Sequence, residues 1–421
     1  MKIKVKEVDF DAVKDKTFPK RKKPLKPNIF WRALIKLLSA SALMPLDFKY
    51  EKIGMEKLSK KEPCLILMNH SCFNDFEIAS TMLFPRPLNI VTTFDGMVGK
   101  AWLMRRIGCI PTQKYVSDLG LVRDLSYTVK KLKSSVLMYP EACYSFDGTA
   151  TVLPESIGRF VKMLGVPVIM IKTDGAFSRN PLYNDLQTRK VPIRAEMRYL
   201  MSPEEIAQKS DSEINDVIKD AFYFDGFRWQ QENNIKITEP FRADKLNRVL
   251  YKCPHCLAEG KTEGKGIYLT CHACGKKYEL DELGYMKATE GETEIDHVPD
   301  WYAWERKCVR EEIERGEYSL DIEVDIYVLA DTKCIYKVGE GRLTHGTEGF
   351  TLTGCDGRLE YKQKTKSSYS LNADYFWYEM GDVICLGNTK VSYYCFPKNC
   401  GDVVAKTRLA TEELYKIEIR K

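Results

Sequence analysis

The chain lacks the marks of export, of a clean bilayer span and of a nucleic-acid-binding tail. Its opening residues hold no apolar core followed by a small-residue cleavage site, so no secretory leader is read and a cytoplasmic location is expected. No uninterrupted apolar run reaches the roughly 20 residues of a spanning helix; the best candidate, residues 29–46, falls at the short end and is broken by Arg32 and Lys36. Internal repeats and low-complexity tracts are missing as well, which argues against a solenoid or a long disordered segment. The formal charge of +6 over 421 residues is too mild for bulk affinity to nucleic acid, and no such partner is expected.

What is present is enough for real cores. Apolar residues make up 44% of the chain, and at about 100–200 residues per domain the length suggests two or three domains. The positive charge is concentrated early: Lys14, Lys16, Lys20, Arg21, Lys22, Lys23 and Lys26 are opposed in that stretch by Asp15 alone. An amphipathic segment follows. Read as a helix, Phe30, Leu34, Leu37, Leu38 and Ser41 share a face, while Arg32, Lys36 and Ser39 lie largely elsewhere. Such a helix would lie on a bilayer or pack on the main domain, and the polybasic run before it favours the membrane, at its inner face.

Four segments are expected. Residues 1–50 are the basic arm and amphipathic helix. Residues 51–245 alternate short apolar runs (64–68, 89–92, 136–139, 167–171, 191–199) with helical spacing such as 119–132, the signature of an α/β sheet with crossover helices. Residues 246–282 carry cysteine pairs. Residues 283–421 open with a helix near 300–314 and continue as short strands rich in Tyr, Val, Ile and Thr, ending in a helix near 403–415. That β-rich region suggests a small barrel, pleckstrin-homology-like, or a sandwich.

There are 14 cysteines, and nothing indicates an oxidising compartment. Cys253, Cys256, Cys271 and Cys274 form two Cys-x-x-Cys pairs, the spacing of a zinc ribbon, in which four thiolates close a structural tetrahedral site. His255 and His272 fall inside the knuckles and are not needed as ligands. The joint between two domains is the economical role for such a ribbon.

The segment Met68-Asn69-His70-Ser71-Cys72-Phe73-Asn74-Asp75 follows an apolar run and precedes a helical one. A histidine there suits proton abstraction from an alcohol near neutral pH, and a carboxylate can fix its tautomer. By spacing alone, the pair is better read as a satisfied histidine and a helix-capping aspartate. The segment nevertheless resembles the HxxxxD motif of the glycerol-3-phosphate and lysophosphatidate acyltransferase family. The resemblance continues in order. Gly108-Cys-Ile-Pro-Thr-Gln-Lys114 is similar to the second block, Tyr139-Pro-Glu-Ala-Cys-Tyr-Ser145 to the third and Val166-Pro-Val-Ile-Met-Ile171 to the fourth. It covers roughly residues 50–240.

The resemblance implies acyl transfer from acyl-CoA or acyl-carrier protein to a lipid hydroxyl, with lysophosphatidate the first choice of acceptor. It implies His70 and Asp75 as the catalytic pair, and Lys114, Pro140, Glu141 and Ser145 in substrate binding. The departures matter too. Ala142 and Tyr144 stand where the third block usually has Gly and Arg, Lys114 stands where Arg is usual, and Met170 where a second Pro is common. Lys114 supplies a point charge without the bidentate fork of Arg, which keeps open a different lipid alcohol, or a non-catalytic membrane scaffold.

Overall fold

A computed structural model describes residues 2–72 and 74–420. The expected α/β sheet is present, with seven strands. In spatial order they are Lys49–Ile53, Arg194–Met201, Val168–Asp174, Leu65–Met68, Ser135–Met138, Leu88–Thr93 and Cys109–Thr112. All neighbours pair in parallel except Val168–Asp174 with Arg194–Met201, which pair antiparallel.

Leu65–Met68 is the middle strand, and its sequence shows why. A strand buried on both faces needs an unbroken apolar run, because successive side chains point to opposite sides. Ile66 and Met68 enter the core beneath the helices Ile29–Leu43 and Asp75–Leu83. Leu65 and Leu67 enter the opposite core, beneath Leu119–Lys130, Ile157–Leu164 and Asp211–Phe222. All four are fully buried, and each contributes about 1.5–3 kcal/mol by burial. The centre of the sheet is therefore fixed on both faces, and the turn that follows it starts from a rigid base. The helix expected at 119–132 forms over Leu119–Lys130, capped by the Asp118 side chain. The edge strand Lys49–Ile53 carries no buried residue and has no apolar pattern to announce it.

The four thiols sit beside a four-stranded antiparallel sheet spanning Thr262 to Ala288. The last region forms one longer strand path. It runs Leu359–Gln363, Gly349–Gly354, Ile335–Gly346, Leu320–Leu329, Ser392–Pro397, Val383–Gly387, Asn372–Asp374, and is followed by the terminal helix Val404–Arg420. One apolar core continues across the segment borders. It includes Phe146 and Phe177 of the α/β region, Tyr251 and Tyr278 of the cysteine-bearing segment, and Trp301 and Leu409 of the helices beyond.

The N-terminal arm is largely absorbed into this body. Val5–Glu7 adds a parallel strand beside Ile335–Gly346, and Phe10 and Val13 are buried in the shared core. Phe18 stacks on Phe94 at 4.2 Å. Of the clustered basic residues, Arg21 pairs with Asp118 and Asp124, and Lys16 and Lys23 lie over Tyr336 and Tyr127. The helix Ile29–Leu43 then presents its apolar face outward: Ile29, Phe30, Leu37 and Leu38 are exposed, whereas Ser39 and Leu43 face the protein. Trp102 is exposed next to it, with its ring 6.2 Å from that of Trp31.

Candidate active site

The first three quoted blocks come together at the carboxyl ends of the parallel strands, where open α/β sheets place their sites. His70 lies two residues beyond Leu65–Met68, Lys114 two beyond Cys109–Thr112, and Pro140 two beyond Ser135–Met138. Buried Asn69 ties the first turn down. Its Nδ2 donates to the carbonyl of Thr173 at 3.0 Å, and its Oδ1 accepts from Thr173 N–H at 2.8 Å.

Asp75 is the first residue of the helix Asp75–Leu83 and is buried. Its Oδ2 lies 2.9 Å from His70 Nδ1 and accepts the Ser71 N–H at 2.9 Å and the Cys72 N–H at 3.3 Å. The carboxylate thus holds His70, Ser71 and Cys72 together and is favoured by the positive end of the helix dipole. An Nδ1 proton held on Asp75 leaves His70 Nε2 as the basic nitrogen, the tautomer that general-base work requires. Burial pulls the His70 pKa below its ordinary value, against the opposing pull of Asp75, so the ring is neutral at neutral pH.

The imidazole is held between two tyrosines. Tyr139 and Tyr144 stack on it with centroids 4.4 and 4.0 Å away. The residue that replaces the third-block Arg therefore touches the candidate base directly, and aromatic faces favour the imidazolium that forms when it takes a proton. Neither tyrosine is identifiable from spacing alone.

Glu141 is placed beneath the turn. Its two oxygens accept the N–H groups of His70 at 3.0 Å and Thr151 at 2.7 Å. Burial raises its carboxyl to about 7 against those two bonds. Ser145 is also buried, donating to the Thr149 carbonyl at 2.7 Å and accepting the Gly148 N–H at 2.9 Å. Both residues, expected in substrate binding, shape the loop from within and do not line the adjacent cavity; Lys114 and Pro140 do line it. Ala142 takes φ +60°, which accounts for the usual glycine at that position. Gly108 takes φ +98°, and a Cβ there would sit 2.8 Å from the Leu88 carbonyl.

The cavity in front of His70 measures about 1490 Å³, above the roughly 300–1,000 Å³ of a single small-ligand site. It has room for two substrates. One wall belongs to the α/β segment, with His70, Lys114 and Tyr144; another comes from the C-terminal region, with Tyr369, Asp374, Trp377 and Tyr415. In the sequence that second wall shows only as the aromatic run Tyr375, Phe376, Trp377 and Tyr378, which by residue type reads as core more readily than as a ligand patch.

The four paired cysteines also converge. Cys253 and Cys274 Sγ are 3.9 Å apart, Cys256 and Cys271 Sγ 3.7 Å, and all four sulfurs lie within 4.8 Å of one another. A tetrahedron with metal–sulfur bonds of about 2.3 Å has edges near 3.8 Å, so the donor set fits a thiolate-bound ion of zinc size. His255 and His272 instead meet Glu294 and Glu263 at 2.8 and 2.9 Å.

No curated protein sequence matches the chain. Among solved structures it is similar to the crystal structure of the 1-acyl-sn-glycerophosphate acyltransferase PlsC from Thermotoga maritima. The two are 16% identical with a TM-score of 0.35, over 45% of this chain and 76% of that one. Residues 49–172, the stretch that carries His70, Asp75, Lys114 and Glu141, match the family model described as Acyltransferase.

Proposed function

We propose that the protein transfers an acyl group from a thioester, acyl-CoA or acyl-carrier protein, to a lipid hydroxyl. The observation that carries this reading is the His70–Asp75 contact of 2.9 Å at the end of the central strand, opening on a cavity large enough for both substrates. His70 Nε2 takes the proton of the acceptor hydroxyl as its oxygen attacks the thioester carbon. The C–S bond then breaks, and the thiolate leaves with the proton carried by His70. Asp75 stabilises the imidazolium in between, and no acyl-enzyme is needed. Lysophosphatidate, the acceptor implied by the resemblance, would depend on Lys114 to hold its phosphate.

The chain works at a membrane surface in this reading. Supporting it, the helix Ile29–Leu43 exposes Ile29, Phe30, Leu37 and Leu38, with Trp102 exposed alongside and the Arg106 guanidinium over its ring, a grouping that suits a headgroup layer. Residues 29–46 are also long and apolar enough to cross a bilayer, but Arg32 and Lys36 suit a surface position better. The ribbon holds zinc as a structural ion.

The experiment is a mass-spectrometric assay with acyl-CoA or acyl-carrier protein, a panel of lipid alcohols, and wild type beside His70→Ala. A new ester should form with wild type, with turnover reduced by about 10²–10⁴-fold or more in the variant. Turnover by a folded His70→Ala protein close to wild type would refute the assignment.

A further inference from the structure

The end of the cavity around Lys114 is completed by the C-terminal sheet. Asn372–Asp374 is the last strand of that sheet, and the chain after it turns sharply: Phe376, Tyr378 and Glu379 take φ of +51°, +47° and +65°. None is glycine, so the turn stores strain that surrounding contacts must hold, a feature that concentrates at functional sites. The turn brings Asp374, Phe376, Trp377 and Tyr378 into the same cavity as His70 and Lys114.

The chemistry here is wrong for a phosphate and leaves polar groups waiting. Burial works against the Lys114 ammonium, but the neighbouring Cys143, Asp374 and Asp95 outweigh it and raise its pKa. Lys114 Nζ lies 3.7 Å from Cys143 Sγ. Asp95 Oδ2 accepts the Tyr378 hydroxyl at 3.2 Å. Asp374 Oδ1, by contrast, is buried with no hydrogen-bond partner among the described residues, and so are both polar atoms of the Gln113 side chain, one residue before Lys114. Such orphaned atoms are rare in folded proteins and call for a ligand or water. A phosphate on Lys114 would bring its own charge against Asp95, and against Asp374 whenever that carboxyl is ionised, in a poorly solvated space. A headgroup rich in O–H or N–H would satisfy Asp374, and a hydroxyl, which both donates and accepts, matches the Gln113 oxygen and NH₂ as well. Burial raises the Asp374 carboxyl to about 7, with Lys114 opposing.

We propose that Asp374, with Gln113 and Lys114, reads the acceptor headgroup and selects a lipid alcohol that donates hydrogen bonds and carries no phosphate. This assignment rests on the acyl-transfer reading and adds the acceptor class. Its logic is exclusion as much as attraction: specificity comes from the repulsive element as well as the favourable contact.

The test compares three acceptors of one chain length with the full-length protein and acyl-CoA: a monoacylglycerol, a long-chain amino alcohol and lysophosphatidate. Wild type should favour the better of the first two over lysophosphatidate by about 10- to 100-fold in kcat/KM, the scale of one hydrogen bond to a charged group. Which of the two is used distinguishes an uncharged from an amine headgroup. Asp374→Asn should narrow the preference about tenfold or more. Equal or better use of lysophosphatidate by wild type overturns the assignment, and that result needs no variant to fold. An unchanged preference in folded Asp374→Asn also overturns it. If lysophosphatidate is acylated equally well or better, in a His70-dependent way, acyl transfer stands and only the headgroup assignment falls. If no acceptor gives a His70-dependent product, the acyl-transfer reading itself falls.

Discussion

Asp75→Asn separates the catalytic from the purely structural account of the HxxxxD turn. Asp75 Oδ2 meets His70 Nδ1 at 2.9 Å and the N–H groups of Ser71 and Cys72 at 2.9 and 3.3 Å. Asparagine keeps the shape but has one acceptor oxygen and a donating NH₂. That oxygen can take the Oδ2 position and keep all three contacts, with the NH₂ at the Oδ1 position beside Cys72 Sγ, so the tautomer survives and what is lost is the negative charge that stabilises the imidazolium. A hydrogen bond to a charged group is worth about 1.5–3 kcal/mol, and each 1.36 kcal/mol is about tenfold in rate. The missing negative charge beside the imidazolium therefore costs about 10- to 150-fold in kcat. The first helical turn also loses a negative charge, worth about 0.3–1 kcal/mol of stability. The assay is kcat across pH, with denaturant unfolding as the control. In wild type, the acid limb should inflect below 6.5, because burial depresses the His70 pKa and activity is lost as pH falls through that depressed value. Asp75 pulls the pKa upward, so its neutralisation should move the limb lower still while the plateau falls. A folded variant within tenfold of wild-type kcat, or a limb that moves upward, would refute this role.

Three further outcomes are expected. Ala142→Gly should stabilise the protein by up to about 1 kcal/mol, since Ala142 holds φ +60°, the strain exceeding the entropy that glycine costs; a clear loss in midpoint would contradict this. Metal analysis should find one zinc per chain, and Cys256→Ser or a strong chelator should lower both metal content and thermal stability; purified protein with four titratable thiols at this site and no bound metal would exclude the ion. Leu37→Glu with Leu38→Glu should weaken binding to anionic vesicles at least about tenfold, from loss of apolar burial, with stability unchanged because both side chains are exposed; undiminished co-sedimentation would place the bilayer elsewhere.

Much of the candidate site is legible in the residues alone. The run Cys64–Met68 is apolar at every position, which only a strand buried on both faces requires, and the polar turn after it had to fall at the sheet's end. The four cysteines carry their own geometry, because two knuckles of fixed spacing can bring their sulfurs together locally. The substrate roles of Glu141 and Ser145 were implied by the resemblance, and the packing places these residues as internal supports of the loop. The strand Val5–Glu7 was not legible: three exposed residues carry no periodic pattern, and their partner at Ile335–Lys337 is at the far end of the chain.

By itself, the sequence determined what local patterning can encode: the α/β alternation, the turn carrying His70 and Asp75, and the paired cysteine knuckles. Tertiary structure decided what depends on distant segments meeting. It placed Tyr139 and Tyr144 on the two faces of the imidazole, turned Glu141 beneath the His70 turn, and brought Asp374 across to Lys114. No spacing rule reaches those contacts, because they are set by the packing of two sheets and a terminal helix around one shared apolar core.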